Sequence, residues 1–522
     1  MPATVYNDFS GGHAGTLDLA KVPPNFFHAK NMLVTRSGAL CPRPGFRTQN
    51  LGRTIAGPVR GLGHVGASSG RSLIYFDNDV IYYSDPDNAA NRAGIGPIVF
   101  PNNEYPVYIT DVTANVGFMS VSATTNAASK LYRLRPDANA IDLVNNAWGS
   151  TSFAIYGIRA VKNENQNIRR LWYSAADDAT SNTAWPSGNF IDVSISDRIV
   201  FLAAQRNSLV IATADGQWWT LTGVPGSSQS SLRRISGGKM APAQVSPWAF
   251  VDLGDDNIYL LDPTNNYPGF FNGAKYDDLP YLSMSTNPLA SYAAGTLTNA
   301  VNGAAAIQAA DNHSPAFILP SENRMLLSHN GVWTMHDIGV GVSNLWASNG
   351  RGRIWGFNAA KNAILTTQLR LDRPAFTSDL AAQPGDQSDT PVDAEVTVPE
   401  FWAEDGQPIR VSEVLIDFVR WNTGAPVDNR IQISVSALGR NDAPDATTMV
   451  TWEQAGSNSA ATQAGTRDRL IRNFGDQGTG AGYRVRLHGL RGVAIRQVIV
   501  FWERVEGNSH AWGGGLRDDR QS

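Results

Sequence analysis

The sequence predicts an all-β protein: a β-propeller body, an N-terminal extended arm with a hairpin, and a C-terminal β-sandwich. Three observations carry that prediction. The 522 residues include 49 Gly, 28 Pro and 14 Trp, and turn formers and aromatics at that density favour many short strands over long helices. Between residues 57 and 371 one pattern recurs, in which a β-rich run ends in a polar turn and a second run follows. From residue 392 onward apolar and polar residues alternate with period two, which marks strands with one buried face.

Residues 1–56 differ in texture from the rest. NMLVT, a turn at Arg36-Ser37-Gly38, and ALCPRPGF read as a hairpin. Asp8 to Pro24 is polar and broken by Gly and Pro, with too little apolar content to fold alone. It reads as an assembly and docking arm that lies on its own propeller or on a neighbouring subunit. Cys41 is the single cysteine. It sits between Leu40 and Pro42 and reads as a small buried apolar residue, in a chain suited to a reducing compartment. The opening MPATVYNDFSGGHAG has neither the basic nor the apolar run of a secretory signal.

Residues 57–375 read as the propeller. SLIYFDNDVIYYSD, FLAAQRNSLVIATADGQWWTL, FVDLGDDNIYLLD and AFILPSENRMLLSHNGVWTMHDI are hairpins by their turn chemistry. Asp215-Gly216, Asn272-Gly273 and Asn330-Gly331 recur at near-equal intervals, each followed by an aromatic; Asn207, Asn257 and Asn323 recur more loosely. Such a repeat gives about six blades across the region, and radial packing buries the faces that a lone sheet would expose. The Ala-rich segment 295–311 is expected to hold a short helix. Residues 376–393 read as a linker, 394–506 as the sandwich, and 507–522 as a flexible tail.

The formal charge of −4 and pI near 6.1 supply no basic field for nucleic acid or anionic membrane. Arg169-Arg170 and Arg233-Arg234 read as solvated strand ends. No apolar run approaches the ~20 residues of a membrane-spanning helix.

Candidate chemistry is sparse. Thr213-Ala214-Asp215-Gly216-Gln217-Trp218 resembles a sialidase Asp box with altered spacing, and Asp boxes are structural turns. Asp177-Asp178, Asp255-Asp256 and Asp277-Asp278 lie in turn-like contexts, and neighbours on a strand face opposite ways. Asp85-Pro86-Asp87-Asn88 lacks the Gly and closing Glu of a calcium loop. The eight histidines are dispersed, and the sequence contains neither a phosphate-binding loop nor a nucleophile elbow. We therefore assign no catalytic, cofactor-binding or metal residue, no cofactor and no enzyme activity. The alternative is a sugar-binding or glycan-cleaving propeller protein. Trp402, Trp421, Trp452 and Trp502 in the sandwich are its candidate stacking residues; exposed rings would favour it and buried ones would favour plain packing.

One resemblance bears on function. DFSGG, VPPNFFHAKNM and RSGALCPRPGF resemble the opening of tailed-bacteriophage tail proteins through Phe9, Gly11, Gly12, Pro24, Ala29, Asn31, Gly38, Arg43 and Gly45. The nearest family is the tail nozzle, or tubular tail protein, of short-tailed phages. The resemblance implies a homo-oligomeric ring, expected to be hexameric, in the virion tail. Its partners would be the tail adaptor on the portal side and fibre or tip proteins. Double-stranded DNA would pass through without sequence-specific binding. The protein would be made in the host cytoplasm and carry no membrane anchor. On this reading, deleting residues 8–46 leaves a folded monomer that fails to assemble.

Overall fold

The computed structural model describes the strands and adjoining turns between residues 2 and 505. Outside the description lie 14–24, 85–94, 164–168, 176–184, 240–249, 279–303, 369–393, 421–428, 439–447, 455–466, 506–522 and shorter loops. The linker 376–393, the tail 507–522, Asp85–Asn88, Asp177-Asp178 and Asp255-Asp256 all fall there.

Seven four-stranded antiparallel units follow one another along the described chain, six as separate sheets and one, the sixth, as part of a larger sheet. Their first strands are Val59–Ala67, Glu104–Thr113, Phe153–Tyr156, Ile199–Ala204, Phe250–Asp252, Ala304–Ala309 and Ser343–Ala347. First strands pack side by side between the first and second, third and fourth, fifth and sixth, and sixth and seventh blades. Ring contacts of Phe118 with Phe153 and of Phe201 with Phe250 join the second to the third and the fourth to the fifth. Arg353–Phe357 of the seventh packs back on Val59–Ala67 of the first. That is a closed β-propeller, with the first strand of each blade innermost. The seventh blade supplies three strands of its own; its fourth is Arg47–Thr48, paired with Ile364–Gln368 through Leu365↔Thr48 and Thr366↔Arg47. The ring is thus closed by the segment that precedes it.

Aromatic and branched side chains hold the blades together. Phe118 of the second blade stacks on Phe153 of the third at 5.1 Å. Tyr156, Val161 and Leu171 of the third share a core with Ile199, Leu209 and Ile211 of the fourth. Trp218 of the fourth is fully buried and lies parallel to Phe271 of the fifth at 4.2 Å. Removing a ring so placed costs about 3–5 kcal/mol.

Seven blades replace the six expected, and the reason lies in the turns. Gly216 sits between the second and third strands of its blade, whereas residues 272–273 lie between the third and fourth. The first two aligned turns are not equivalent, and the next interval spans the long segment 279–303 between the fifth and sixth blades, so both intervals exceed the period. Residues 90–185, which look irregular in sequence, hold the last strand of the first blade, all of the second and three strands of the third. The Ala-rich segment holds a strand, Ala304–Ala309, where a helix was expected. Pairing with Asn312–Leu319 along its whole length overrides the weak helix preference of alanine. Asp277-Asp278 likewise lie in the strand Tyr276–Asp278 rather than in a turn.

The C-terminal region is a β-sandwich. One sheet runs Arg467–Asn473, Ile409–Arg420, Val493–Arg504, Leu40–Pro42, Met32–Val34, with Ala3–Tyr6 also on Val493–Arg504. The other runs Phe26–Lys30, Glu395–Thr397, Gly482–Arg491, Asn429–Leu438, Thr448–Gln454. Val414, Ile416, Phe418 and Val498 from the first sheet meet Ile431, Ile433, Val485 and Leu487 from the second in one core. The N-terminal segment is therefore no free arm: Phe27, Met32 and Leu40 are fully buried in this core. Strands need partners, and Ala3–Tyr6, Phe26–Lys30 and Leu40–Pro42 find theirs hundreds of residues away in the same chain.

Candidate functional site

The described residues that carry the N-terminal resemblance lie around one place, the junction between propeller and sandwich. Phe26–Lys30 is inserted between the outermost strand of the sixth blade, Val332–Asp337, and the sandwich strand Glu395–Thr397. The second sandwich sheet and that blade are consequently one continuous eleven-stranded sheet. Ala29 is 1% exposed there, in line with Val396.

Asn31 ends the inserted strand with φ at 59°, a left-handed conformation that Asn tolerates better than most residues. Its N–H donates to the Met335 carbonyl at 2.9 Å, tying the strand to the blade. Its carbonyl accepts from the Arg43 N–H at 2.8 Å, and its Oδ1 from Arg43 Nε at 3.1 Å. Both residues are buried. Between them runs the expected hairpin, Met32–Val34 on Leu40–Pro42. Gly38 turns it at φ 78°, and Thr35 Oγ1 accepts from the Ala39 N–H at 3.1 Å.

Upstream, Phe9 packs edge-on against Phe27 at 5.6 Å. The Gly11 N–H donates to the Asn25 carbonyl at 3.2 Å, and Gly12–His13 pairs in parallel with Phe26–Phe27. Hydrogen bonds from the Ser10 hydroxyl and then from the Ser10 N–H, at 2.9 Å, hold the Asp8 carboxyl below its usual pKa. Tyr6 donates its hydroxyl to the Pro399 carbonyl at 2.9 Å, and burial pushes its pKa upward. Cys41 is buried, and desolvation raises its thiol to about 12. Pro24 and Gly45 lie outside the described residues.

The remaining candidates resolve into structure. The Thr213 hydroxyl donates to Asp215 Oδ1 and accepts from the Gln217 N–H at 3.1 Å, while Gln217 Nε2 donates to Asp215 Oδ2 at 2.7 Å. With Gly216 at φ 82°, the group is a self-bonded hairpin turn. Arg170 pairs with Asp192 at 3.1 Å and lies 3.8 Å over the Phe190 ring. Arg169, Arg233 and Arg234 are exposed. Among the described residues no cluster of His, Cys, Asp or Glu is placed to hold a metal. No described helix is long and apolar enough to cross a membrane.

The four sandwich tryptophans separate. Trp421 lies outside the described residues, and the Trp452 side chain is not among those described. Trp502 is half-buried, 4.8 Å from Phe401. Trp402 is 42% exposed. It stands opposite Gly482 in register, and a Cβ on that glycine would come within 2.9 Å of the indole. Trp402 Nε1 donates to Glu400 Oε2 at 3.3 Å, and Arg484 Nε donates to Glu400 Oε1 at 3.0 Å. This arrangement joins residues some eighty positions apart, and only the strand register reveals it.

The outer face of the first sandwich sheet carries a second exposed feature. Val5, Ile499, Leu415 and Ile471 stand directly opposite one another across four strands. Val5 is 47% exposed and Ile471 51%.

No family model and no curated protein matches the chain. Weak likeness to solved structures exists. The BBS1N chain crystallised with ARL6DN aligns at 11% identity over 63% of this chain and 98% of that one, with a TM-score of 0.41. BamB from Moraxella catarrhalis aligns at 11% over 66% and 96%, TM-score 0.38. YCF48 from Cyanidioschyzon merolae aligns at 13% over 62% and 98%, TM-score 0.37. The propeller assignment rests on the sheet order and ring closure described above.

Proposed function

We propose that the chain is a structural component of a short-tailed bacteriophage tail, a nozzle subunit that assembles with copies of itself around the DNA exit channel. The observation that carries this reading is the N-terminal motif together with the place its residues occupy. Phe9, Ala29, Asn31, Gly38 and Arg43, the residues of the resemblance, build the junction that fuses propeller to sandwich. A subunit that bears load along a channel needs its two bodies held as one, and a continuous sheet across the junction does that.

Two further features suit the reading. The apolar row Val5, Ile499, Leu415 and Ile471 is the kind of exposed patch that a neighbouring subunit covers, and in a closed ring every copy presents the same patch to the next. The net charge of −4 leaves passing DNA unretained, because phosphate contacts are what hold it. The ring is expected to be hexameric and to sit between a tail adaptor and fibre or tip proteins. The test is incorporation: labelled protein mixed with adaptor-bearing particles that lack their own nozzle should co-sediment with them. Protein that stays in the supernatant at every concentration would count against the reading.

A further inference from the structure

We infer that Trp402, with Glu400 and Arg484, forms a stacking platform for a pyranose ring of a polysaccharide. The Trp402 indole packs against the adjacent strand, opposite Gly482. One of its faces is occupied, because it covers Gly482 on the adjacent strand, where any Cβ would collide with it. Covering a strand glycine with an aromatic protects the backbone beneath, which accounts for that face. It does not account for the 42% of the residue that remains in solvent, nor for the fixing of the ring edge. Trp402 Nε1 is bound to Glu400, whose side chain is only 6% exposed and is itself gripped by Arg484. A large apolar ring is thereby held immobile in water. A ring already ordered loses little freedom when a flat partner stacks on it.

The chemistry of the rim selects the partner. The Glu400 carboxylate holds the ring edge, the Arg484 guanidinium holds Glu400, and Ser436 stands opposite Arg484 on the next strand. These are donors and acceptors suited to hydroxyl groups. Arg484 is paired with Glu400, and Arg486 further along is paired with Glu395, so the two arginines nearest the ring in the strand are each compensated by a carboxylate. Binding to single-stranded nucleic acid combines base stacking with an uncompensated basic groove, whereas Arg484 and Arg486 are both ion-paired. A neutral sugar presents axial C–H groups to the indole and hydroxyls to the rim, and it requires no net charge.

The test uses the full chain in native affinity electrophoresis through gels containing dextran, xylan, galactomannan or a purified bacterial O-polysaccharide, with oligo(dT) as the competing class. Wild type should be retarded by at least one polysaccharide. Trp402→Ala should weaken that binding about tenfold or more, a change of roughly 1.4 kcal/mol. Trp402→Phe, which keeps a flat ring over Gly482, should retain part of it. Arg484→Gln, which frees Glu400, should weaken it severalfold without altering the melting temperature. The inference falls if no polysaccharide in the panel retards the wild type, or if Trp402→Ala binds as wild type does. It also falls if oligo(dT) alone is bound through Trp402. Where Trp402→Ala fails to fold, the Phe and Gln variants decide.

Discussion

Replacing Asn31 with alanine removes two supports at the junction at once. The backbone there holds φ at 59°, and a residue with a Cβ but no polar side chain pays about 1–2 kcal/mol for that conformation. The substitution also deletes Oδ1, which Arg43 Nε reaches at 3.1 Å in a site where Arg43 is 6% exposed. A buried donor that loses its acceptor costs about 1–3 kcal/mol. Arg43 makes other contacts as well, so the lower part of the range applies to it, and about 2–3 kcal/mol is expected in total. Asn31→Gly separates the two effects, because glycine takes the left-handed conformation freely and loses only the side-chain bond; about 1–2 kcal/mol is expected. A chain with two bodies need not unfold in one step, so the readout is local. Hydrogen exchange followed by mass spectrometry should show faster opening of Phe26–Lys30 and Val332–Asp337 in the order Ala, then Gly, then wild type. Equal effects for Ala and Gly would refute the conformational argument. No effect from either would remove Asn31 from the account of the junction.

Further expectations follow from the same contacts. Deleting residues 1–48 removes the last strand of the seventh blade and several fully buried core side chains, so the product should be insoluble or should lack the native far-ultraviolet circular dichroism spectrum; a soluble, folded monomer would contradict the strand assignments. This reverses the outcome expected from sequence for removal of 8–46. Arg135, at 2.8 Å, and then Arg133 hold the Asp142 pKa below 3.8. A carboxyl whose folded pKa is depressed stabilises above its unfolded pKa and loses that contribution as pH falls through the folded one. Asp142→Asn should thus cost up to about 1 kcal/mol near pH 7, being partly exposed, and the difference from wild type should vanish in denaturant titrations well below pH 3.8. With its thiol raised to about 12 by burial, Cys41 should react with Ellman's reagent at pH 8 only after denaturation; prompt labelling of native protein would place it elsewhere.

What the sequence made legible was local. Asp215-Gly216 and the Arg36-Ser37-Gly38 turn carry their own φ requirements, and the strands around Leu209–Ala212 and Trp218 advertise themselves by branched and aromatic content. What it hid was long-range pairing. Nothing near Arg47-Thr48 signals that it will complete a sheet with Leu365 and Thr366, and nothing near Phe26–Lys30 signals that it will bridge Met335 and Val396. Both are short strands in a Gly/Pro-broken segment, and their neighbours are hundreds of residues distant. The Ala run at 304–309 misled because helix preference is a local quantity, and the pairing that overrode it is not. Trp402 was visible as a candidate. Its exposure was not, since that depends on Gly482 across the sheet, on a buried Glu400 and on Arg484.

The most direct test of the proposed role is the native mass of the purified chain, alone and with tail adaptor, followed by negative-stain imaging of the same samples. The account predicts a closed ring with an axial channel, formed by the chain itself or on addition of adaptor, in which Ile471→Glu shifts the population towards monomer. A protein that remains monomeric with adaptor present, and shows no ring in any image, would contradict it.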